Sequence, residues 1–153
     1  MKSTILKFGS YGLITGFIIF ILHLIIGIDN LDYSTNEILG YVSIFISLSF
    51  IFFGLKHYRD KINNGVLSLG KALSIGILIS LLVALGISIA DFVYTKFINP
   101  DFFSNYEQMM KEQGKADQVM EMTSATGAIF MMVLVTVIGF IISLISGLIL
   151  QRK

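Results

Sequence analysis

The chain has 153 residues, of which 55% are hydrophobic and only 14% are charged, and its formal net charge is +1. This composition is far more apolar than that of soluble domains, so it excludes an ordinary water-soluble globular protein. No block of basic residues is dense enough to indicate nucleic-acid binding. Because the chain contains no Cys, disulfide bonds and thiol chemistry are also excluded.

Four long apolar runs follow one another along the chain and are separated by three polar connections. They cover roughly residues 8–28, 38–55, 72–93 and 127–150, and each is near the length of about 20 residues that crosses a hydrocarbon core. The first run is too long for the apolar part of a cleavable signal peptide and is not followed by a small-residue cleavage site. We therefore predict an all-α integral membrane four-helix bundle, with residues 1–153 forming a single membrane domain in the lipid bilayer.

The basic residues beside these runs are distributed unevenly between the two sides of the predicted membrane. The side with both termini and the second connection holds Lys2, Lys7, Lys56, Arg59, Lys61, Lys71, Arg152 and Lys153, and the opposite side holds Lys96, Lys111 and Lys115. Basic residues are retained preferentially on the cytoplasmic side. We therefore expect both termini to face the cytoplasm, and we expect a multi-pass protein of the bacterial cytoplasmic (inner) membrane.

The last connection, about residues 99–126, contains a helical pattern of its own. Asn99 is suited to cap a helix that has Pro100 at its first position, and Gly114 is suited to end or bend it. One face would carry Phe102, Phe103, Tyr106, Met109 and Met110. The pattern predicts a short amphipathic helix in the last extracytoplasmic loop, with this face either in the lipid interface or against the mouth of the bundle.

Small side chains recur at every fourth position within the runs. The stripe on the third run comprises Ala72, Gly76, Ser80, Ala84 and Ser88, and the other runs contribute Gly12, Gly16, Ser43, Ser47, Gly139, Ser143 and Gly147. Membrane helices associate by close packing, which small residues allow. The simplest arrangement is one compact bundle, and the alternative is that a stripe faces another membrane protein or a second copy in a homo-oligomer.

His23 and Asp91 are ionisable residues within the apolar runs and form a candidate intramembrane polar pair. With a rise of about 1.5 Å per residue, both fall in the outer half of the bilayer at similar depth. A carboxylate in lipid is stabilised by a partner, so one hypothesis is a proton- or ligand-responsive pair. In the other interpretation, Asp91 reaches the interface and His23 bonds to a neighbouring group.

The second connection is a candidate interaction surface. Its basic and acidic residue types are represented by Lys56, His57, Arg59, Asp60, Lys61 and Lys71. These residues either determine topology beside anionic lipid or bind a partner. Residues 65–71 also fit the start of a phosphate-binding loop, but the following Ala72 lacks the hydroxyl that such a loop supplies to Mg²⁺. We expect no nucleotide or other cofactor.

Short sequences in two connections resemble a known family. They are GLKHYRDK at 54–61, NNG at 63–65, LGKA at 69–72 and FINPDF at 97–102. With these motifs, the length and the four predicted spans, nearly the whole chain resembles the domain of unknown function 4199 family of small bacterial membrane proteins. The resemblance implies the fold and the membrane location, and it carries no catalytic residue.

Two functional classes remain open. The first is a non-enzymatic interaction or accessory protein, which the small-residue stripes, the basic connection and the amphipathic segment favour. The second is a small oligomeric transporter or ion-coupled carrier that uses Asp91 and His23. The apolar runs lack the grouped side chains that a catalytic centre or a metal site requires, so we expect no enzyme activity and no bound metal.

Overall fold

The computed structural model describes residues 1–30, 33–115, 117 and 120–152, so Asp32 and Lys153 lie outside the described residues. Within this part of the chain the helices are α1 (Lys2–Asn30), α2 (Tyr33–His57), α3 (Leu69–Val93), α4 (Phe102–Glu112) and α5 (Ser124–Leu150). The helices α1, α2, α3 and α5 are long and apolar enough to cross a membrane. The predicted all-α membrane bundle, with a short helix in its last connection, is confirmed.

Two of the long helices continue into a π-helical turn. The turn Tyr58–Ile62 extends α2, and the turn Tyr94–Ile98 extends α3. The N-termini of α3 and α5 are capped by hydroxyl groups. Ser68 accepts a hydrogen bond from the Lys71 amide, and Thr123 forms a capping box with Thr126. These polar ends make the helices longer than the apolar runs alone indicate.

The helix α3 is the centre of the bundle. It packs against α1, α2 and α5, and α2 also contacts both α1 and α5, so α1 and α5 flank the α2–α3 pair. The central position is visible in the burial of α3, where Ile75, Ile79, Val83 and Ile87 are fully buried. Each of the other long helices presents a broad apolar face outward, as a lipid solvent requires.

Small residues form the contact between the antiparallel helices α3 and α5. A β-carbon added to Gly147 would lie 3.0 Å from Ala72, and one added to Gly139 would overlap Ser80. One added to Gly76 would overlap Ser143. The contact therefore advances by four residues along both helices at each step.

The contact of α1 with α3 also depends on small residues. Gly12 faces Val83, and Gly16 faces Ile87 at 3.1 Å from the position of an added β-carbon. The space beside Gly86 is occupied by the backbone carbonyl of Leu13. Ala84 and Ser88, the remaining residues of the predicted stripe, are buried.

The two ends of the bundle differ. We call the end with both chain termini and the α2–α3 connection the terminal end, and the end that carries α4 the cavity end. At the terminal end, Leu67 and Arg152 exchange two backbone hydrogen bonds of 2.9 Å each. Leu67 is fully buried there, and Asn64 and Gly65 adopt positive φ in the turn that precedes it. The α2–α3 connection is thus held against the C-terminal residues.

The start of α4 differs from the sequence-based prediction. The helix begins at Phe102, and Asp101 occupies the cap position, whereas Asn99 was expected to cap and Pro100 to be the first helical residue. The Asn99 carbonyl instead accepts a hydrogen bond from the Phe102 amide at 3.1 Å, which forms a turn before the helix. Because the π-helical turn extends α3 as far as Ile98, Asn99 is needed in that turn and not in the cap.

Candidate functional site

A cavity of about 730 Å³ opens at the cavity end of the bundle. Residues from all five α-helices contribute to its lining, and α4 with the segment before α5 forms its outer wall. Several of its lining residues, among them Phe20 and Ile44, are nearly fully buried. The volume falls in the range of about 300 to 1,000 Å³ that is typical of small-molecule sites.

Asp91 lies in the last turn of α3 and lines this cavity. The residue is only 8% exposed, and its Oδ2 has no hydrogen-bond partner among the described residues. The backbone around it is fixed, since the Asp91 carbonyl accepts a hydrogen bond from Thr95 Oγ1 at 2.9 Å. A buried carboxylate oxygen without a protein partner is unusual in a folded protein.

His23 approaches the same cavity from α1. Its ring packs edge-on against Phe20, with 4.7 Å between the ring centroids, and Nε2 lies 3.5 Å from the position of a β-carbon on Gly40 of α2. The backbone of Ile19 and Phe20 lies near the ring, yet Nδ1 makes no hydrogen bond of good geometry to any described residue. The ring is therefore positioned by packing.

Asn36 supplies a third buried polar atom. It lies in the first turn of α2, its Oδ1 has no partner among the described residues, and its amide packs directly on Gly27 of α1. Any side chain at Gly27 would collide with this amide. Close contact between α1 and α2 thus holds Asn36 beside the cavity that His23 and Asp91 also line.

The remaining wall combines carboxylates with aromatic and Met side chains. Glu37, Glu107 and Glu121 line the cavity, as do Phe102, Phe103, Phe130, Met122 and Met131. Gly127 leaves room between Phe103 and Asp91, because a β-carbon there would lie 2.6 Å from Phe103 Cζ and 3.5 Å from Asp91 Oδ2. Such a cavity suits a ligand with both an apolar body and a polar group.

The structure brings the two members of the predicted intramembrane pair to one cavity without joining them. Both residues are described, and no ion pair within 4.0 Å links His23 to Asp91. Among the described residues, no group of three or more His, Asp and Glu side chains is placed to hold a metal ion.

The predicted interaction residues of the α2–α3 connection lie together at the terminal end but differ in accessibility. Lys56, Lys61 and Lys71 are exposed. Arg59 is engaged within the protein, since Nε donates to Asp60 Oδ1 at 2.6 Å and Nη1 lies 3.4 Å from the Leu150 carbonyl. His57 packs on Phe8, with 5.3 Å between ring centroids. The lysines are therefore the groups free to meet a partner or lipid headgroups.

Several lining residues have no role in the sequence-based hypothesis, and Asn36 is the most informative of them. It precedes the apolar run at 38–55 and was assigned to a connection, whereas α2 begins at Tyr33. Glu107 and Glu121 come from the last connection, whose position over the bundle depends on tertiary packing. The aromatic face of α4 did indicate this part of the site, because contact with the mouth of the bundle was one of the two positions expected for it.

The family model described as a protein of unknown function (DUF4199) matches residues 7–152, which is nearly the whole chain. No curated protein and no solved structure matches the chain significantly. The resemblance inferred from the motifs in the connections is confirmed.

Proposed function

The chain belongs to the DUF4199 family, whose function is unknown, and we propose that it serves as a non-enzymatic interaction or accessory protein of the bacterial cytoplasmic membrane. One observation supports this role above the others: the bundle is filled and closed at the terminal end. Ile51, Leu55, Ile75 and Ile79 are fully buried there. A cavity that ends at such a packed layer suits binding as it stands, whereas transport requires this layer to open in a second conformation.

The exposed lysines of the terminal end are the proposed contact with a partner. Lys56, Lys61 and Lys71 form no ion pair within the described part of the chain and are exposed on one side. On the positive-inside rule this side faces the cytoplasm, where the lysines meet anionic lipid or an acidic surface of another protein. Because Arg59 is held by Asp60, we assign it to the stability of the connection.

A second candidate function is a small, oligomeric ion-coupled carrier. The observation that favours it is the placement of His23 and Asp91 on one cavity. This function requires the packed layer below the cavity to open toward the terminal end. It predicts flux across a sealed membrane, which an accessory protein does not produce.

The test is purification of the tagged full chain from its native membrane in a mild detergent, followed by quantitative mass spectrometry. The key variant is Lys56→Gln/Lys61→Gln/Lys71→Gln. The matched control is Lys111→Gln/Lys115→Gln at the cavity end, and an unrelated four-span protein controls for non-specific recovery. We expect a stoichiometric partner with the wild type and the control, and its loss with the triple variant.

Recovery of the chain alone would contradict the interaction role. Proteoliposomes that contain the purified protein then distinguish the second candidate. Substrate or proton flux that Asp91→Asn abolishes would establish a carrier, and impermeability of the same vesicles would exclude one.

A further inference from the structure

We propose that the cavity binds an amphipathic primary ammonium, meaning a cation with several N–H donors attached to an apolar body. The inference concerns a ligand of the cavity end and goes beyond the accessory role, which was assigned to the terminal end. Its observations are the unpartnered polar atoms, the charges of the lining and the chemistry of the walls.

The unpartnered atoms define what the ligand must offer. Asp91 Oδ2 is a hydrogen-bond acceptor that is buried without a partner in the described part of the chain, whereas the buried Oδ1 of Asn36 lies against Gly27 of α1. Both residues line the same cavity as His23, whose Nδ1 is also without a partner of good geometry. Because a buried acceptor is unfavourable when unsatisfied, a ligand that brings an N–H donor to Asp91 is stabilised here. A primary ammonium has three such donors.

The charges of the lining select a cation. Glu37, Asp91, Glu107 and Glu121 line the cavity, and its described lining contains no Lys or Arg. His23 is its one basic residue. Glu107 is partly neutralised by Lys111, whose Nζ lies 2.5 Å from Oε1, so Asp91 and the other two carboxylates dominate the local field. The excess of carboxylates over basic groups in the lining disfavours an anion.

The walls select an apolar body behind the charged group. Phe102, Phe103 and Phe130 line the cavity with Met122 and Met131. Aromatic faces attract an ammonium by cation–π interaction, and Met side chains adapt to apolar groups of varied shape. A volume of about 730 Å³ exceeds the need of a small inorganic cation. The complementary ligand is therefore an organic amine with an aromatic or aliphatic portion.

Two sources supply this chemistry. One is a soluble amphipathic amine that enters from the aqueous side, and the other is the ethanolamine headgroup of a phospholipid. Both present a primary ammonium beside an apolar portion, so both satisfy the same acceptors. Binding of a soluble amine in membranes with and without an ethanolamine headgroup distinguishes the two sources.

The experiment measures binding of 4-phenylbutylammonium to the purified full chain in detergent by isothermal titration calorimetry. The neutral alcohol of the same length, 4-phenylbutan-1-ol, tests the charge. The N,N,N-trimethyl analogue keeps the charge and removes the N–H donors. Since a hydrogen bond to a charged group is worth about tenfold to a hundredfold in affinity, we expect the amine to bind at least about tenfold more tightly than either analogue.

Two variants locate the site, and one is a matched control. Asp91→Asn is expected to weaken binding of the amine at least about tenfold and to leave binding of the alcohol unchanged. Asn36→Ala, which does not alter the charge, is expected to weaken it about threefold or more. Asp101→Asn removes an exposed carboxylate outside the cavity and should have no effect. Thermal unfolding of each variant checks its folding.

Equal affinity for the amine and the alcohol would overturn the proposal. So would equal affinity for the trimethyl analogue, or unchanged affinity in both cavity variants.

The titrations are then repeated in nanodiscs of phosphatidylethanolamine or phosphatidylcholine with identical acyl chains. Weaker binding of the probe in phosphatidylethanolamine alone assigns the lipid headgroup as the ammonium source, and equal binding assigns a soluble amine. If the wild-type protein retains its partner but does not bind the amine, this inference is wrong and the proposed function stands.

Discussion

Gly76 of α3 lies so close to Ser143 of α5 that a β-carbon on Gly76 would fall 2.6 Å from the β-carbon of Ser143. In lipid, close packing of this kind holds helices together. We therefore expect Gly76→Ala to separate α3 from α5 and to lower the free energy of unfolding by about 1 to 3 kcal/mol. Reversible unfolding in mixed detergent micelles, followed by circular dichroism, measures the change.

The control for this substitution is Gly70→Ala in the first turn of α3. A β-carbon at Gly70 meets nothing within 4 Å, so the stability should be unchanged or rise slightly with the better helix propensity of Ala. The double variant Gly76→Ala/Ser143→Gly transfers the small side chain between the helices. It should recover most of the lost stability, and failure to recover would show that the contact with Ser143 is not the cause.

A second prediction concerns the attachment of α4. Phe102 packs against the buried core and edge-on against Tyr94, with 5.8 Å between ring centroids. Removing this anchor by Phe102→Ala should cost about 3 kcal/mol or more of local packing and release α4 from the bundle. Trypsin should then cleave faster after Lys111 and Lys115.

The matched control is Gln108→Ala on the exposed side of the same helix. It should retain the cleavage rate of the wild type. If Phe102→Ala also cleaves at that rate, then α4 is held by other contacts, and the outer wall of the cavity does not depend on Phe102.

The bundle was predictable from the sequence because a helix that crosses hydrocarbon must be long and apolar. Long runs of apolar residues identify such helices directly. The ends were less predictable, since polar residues continue a helix past the hydrocarbon. Lys2 already lies in α1, and the cap of α4 falls at Asp101 and not at Asn99. The apolar pattern shows which part of a helix lies in hydrocarbon, and the hydrogen-bonded helix extends beyond that part.

The cavity was only partly predictable for a related reason. The helical rise places His23 and Asp91 at similar depth, and both do line the cavity. Whether they touch depends on how far apart α1 and α3 are held at that level, which packing decides. Asn36 and Glu107 reach the cavity from segments whose positions arise from tertiary contacts, so no local pattern identifies them.

A third prediction uses the space that Gly127 leaves between Phe103 and Asp91. In Gly127→Ala the new methyl group would meet Phe103 Cζ at 2.6 Å and displace that ring, which lines the cavity. We expect the affinity for 4-phenylbutylammonium to fall about fivefold or more, in line with the usual cost of overpacking. The control is Ala125→Ser, which also adds a single heavy atom but does so at an exposed position of the same helix. Undiminished binding in Gly127→Ala would mean that the ligand lies away from Phe103.

A fourth prediction concerns the closure of the terminal end. Arg59 connects the π-helical turn after α2 to the last turn of α5 through the Leu150 carbonyl, at 3.4 Å. Its loss in Arg59→Ala should destabilise the neighbouring backbone pair of Leu67 and Arg152 by about 1 kcal/mol. Amide hydrogen exchange at Leu67 would then be about fivefold faster, whereas Lys56→Ala, an exposed control, should leave it unchanged.

The last prediction tests the orientation of the bundle and uses the absence of Cys from the chain. Single substitutions Lys61→Cys and Gln108→Cys place one thiol at each end, and both positions are exposed. With the terminal end in the cytoplasm, a membrane-impermeant maleimide should label Gln108→Cys in intact cells. It should label Lys61→Cys only after the membrane is opened, because the lysines of that end are retained inside. The reverse labelling pattern would show that the terminal end faces the outside, and the proposed partner surface would then lie there as well.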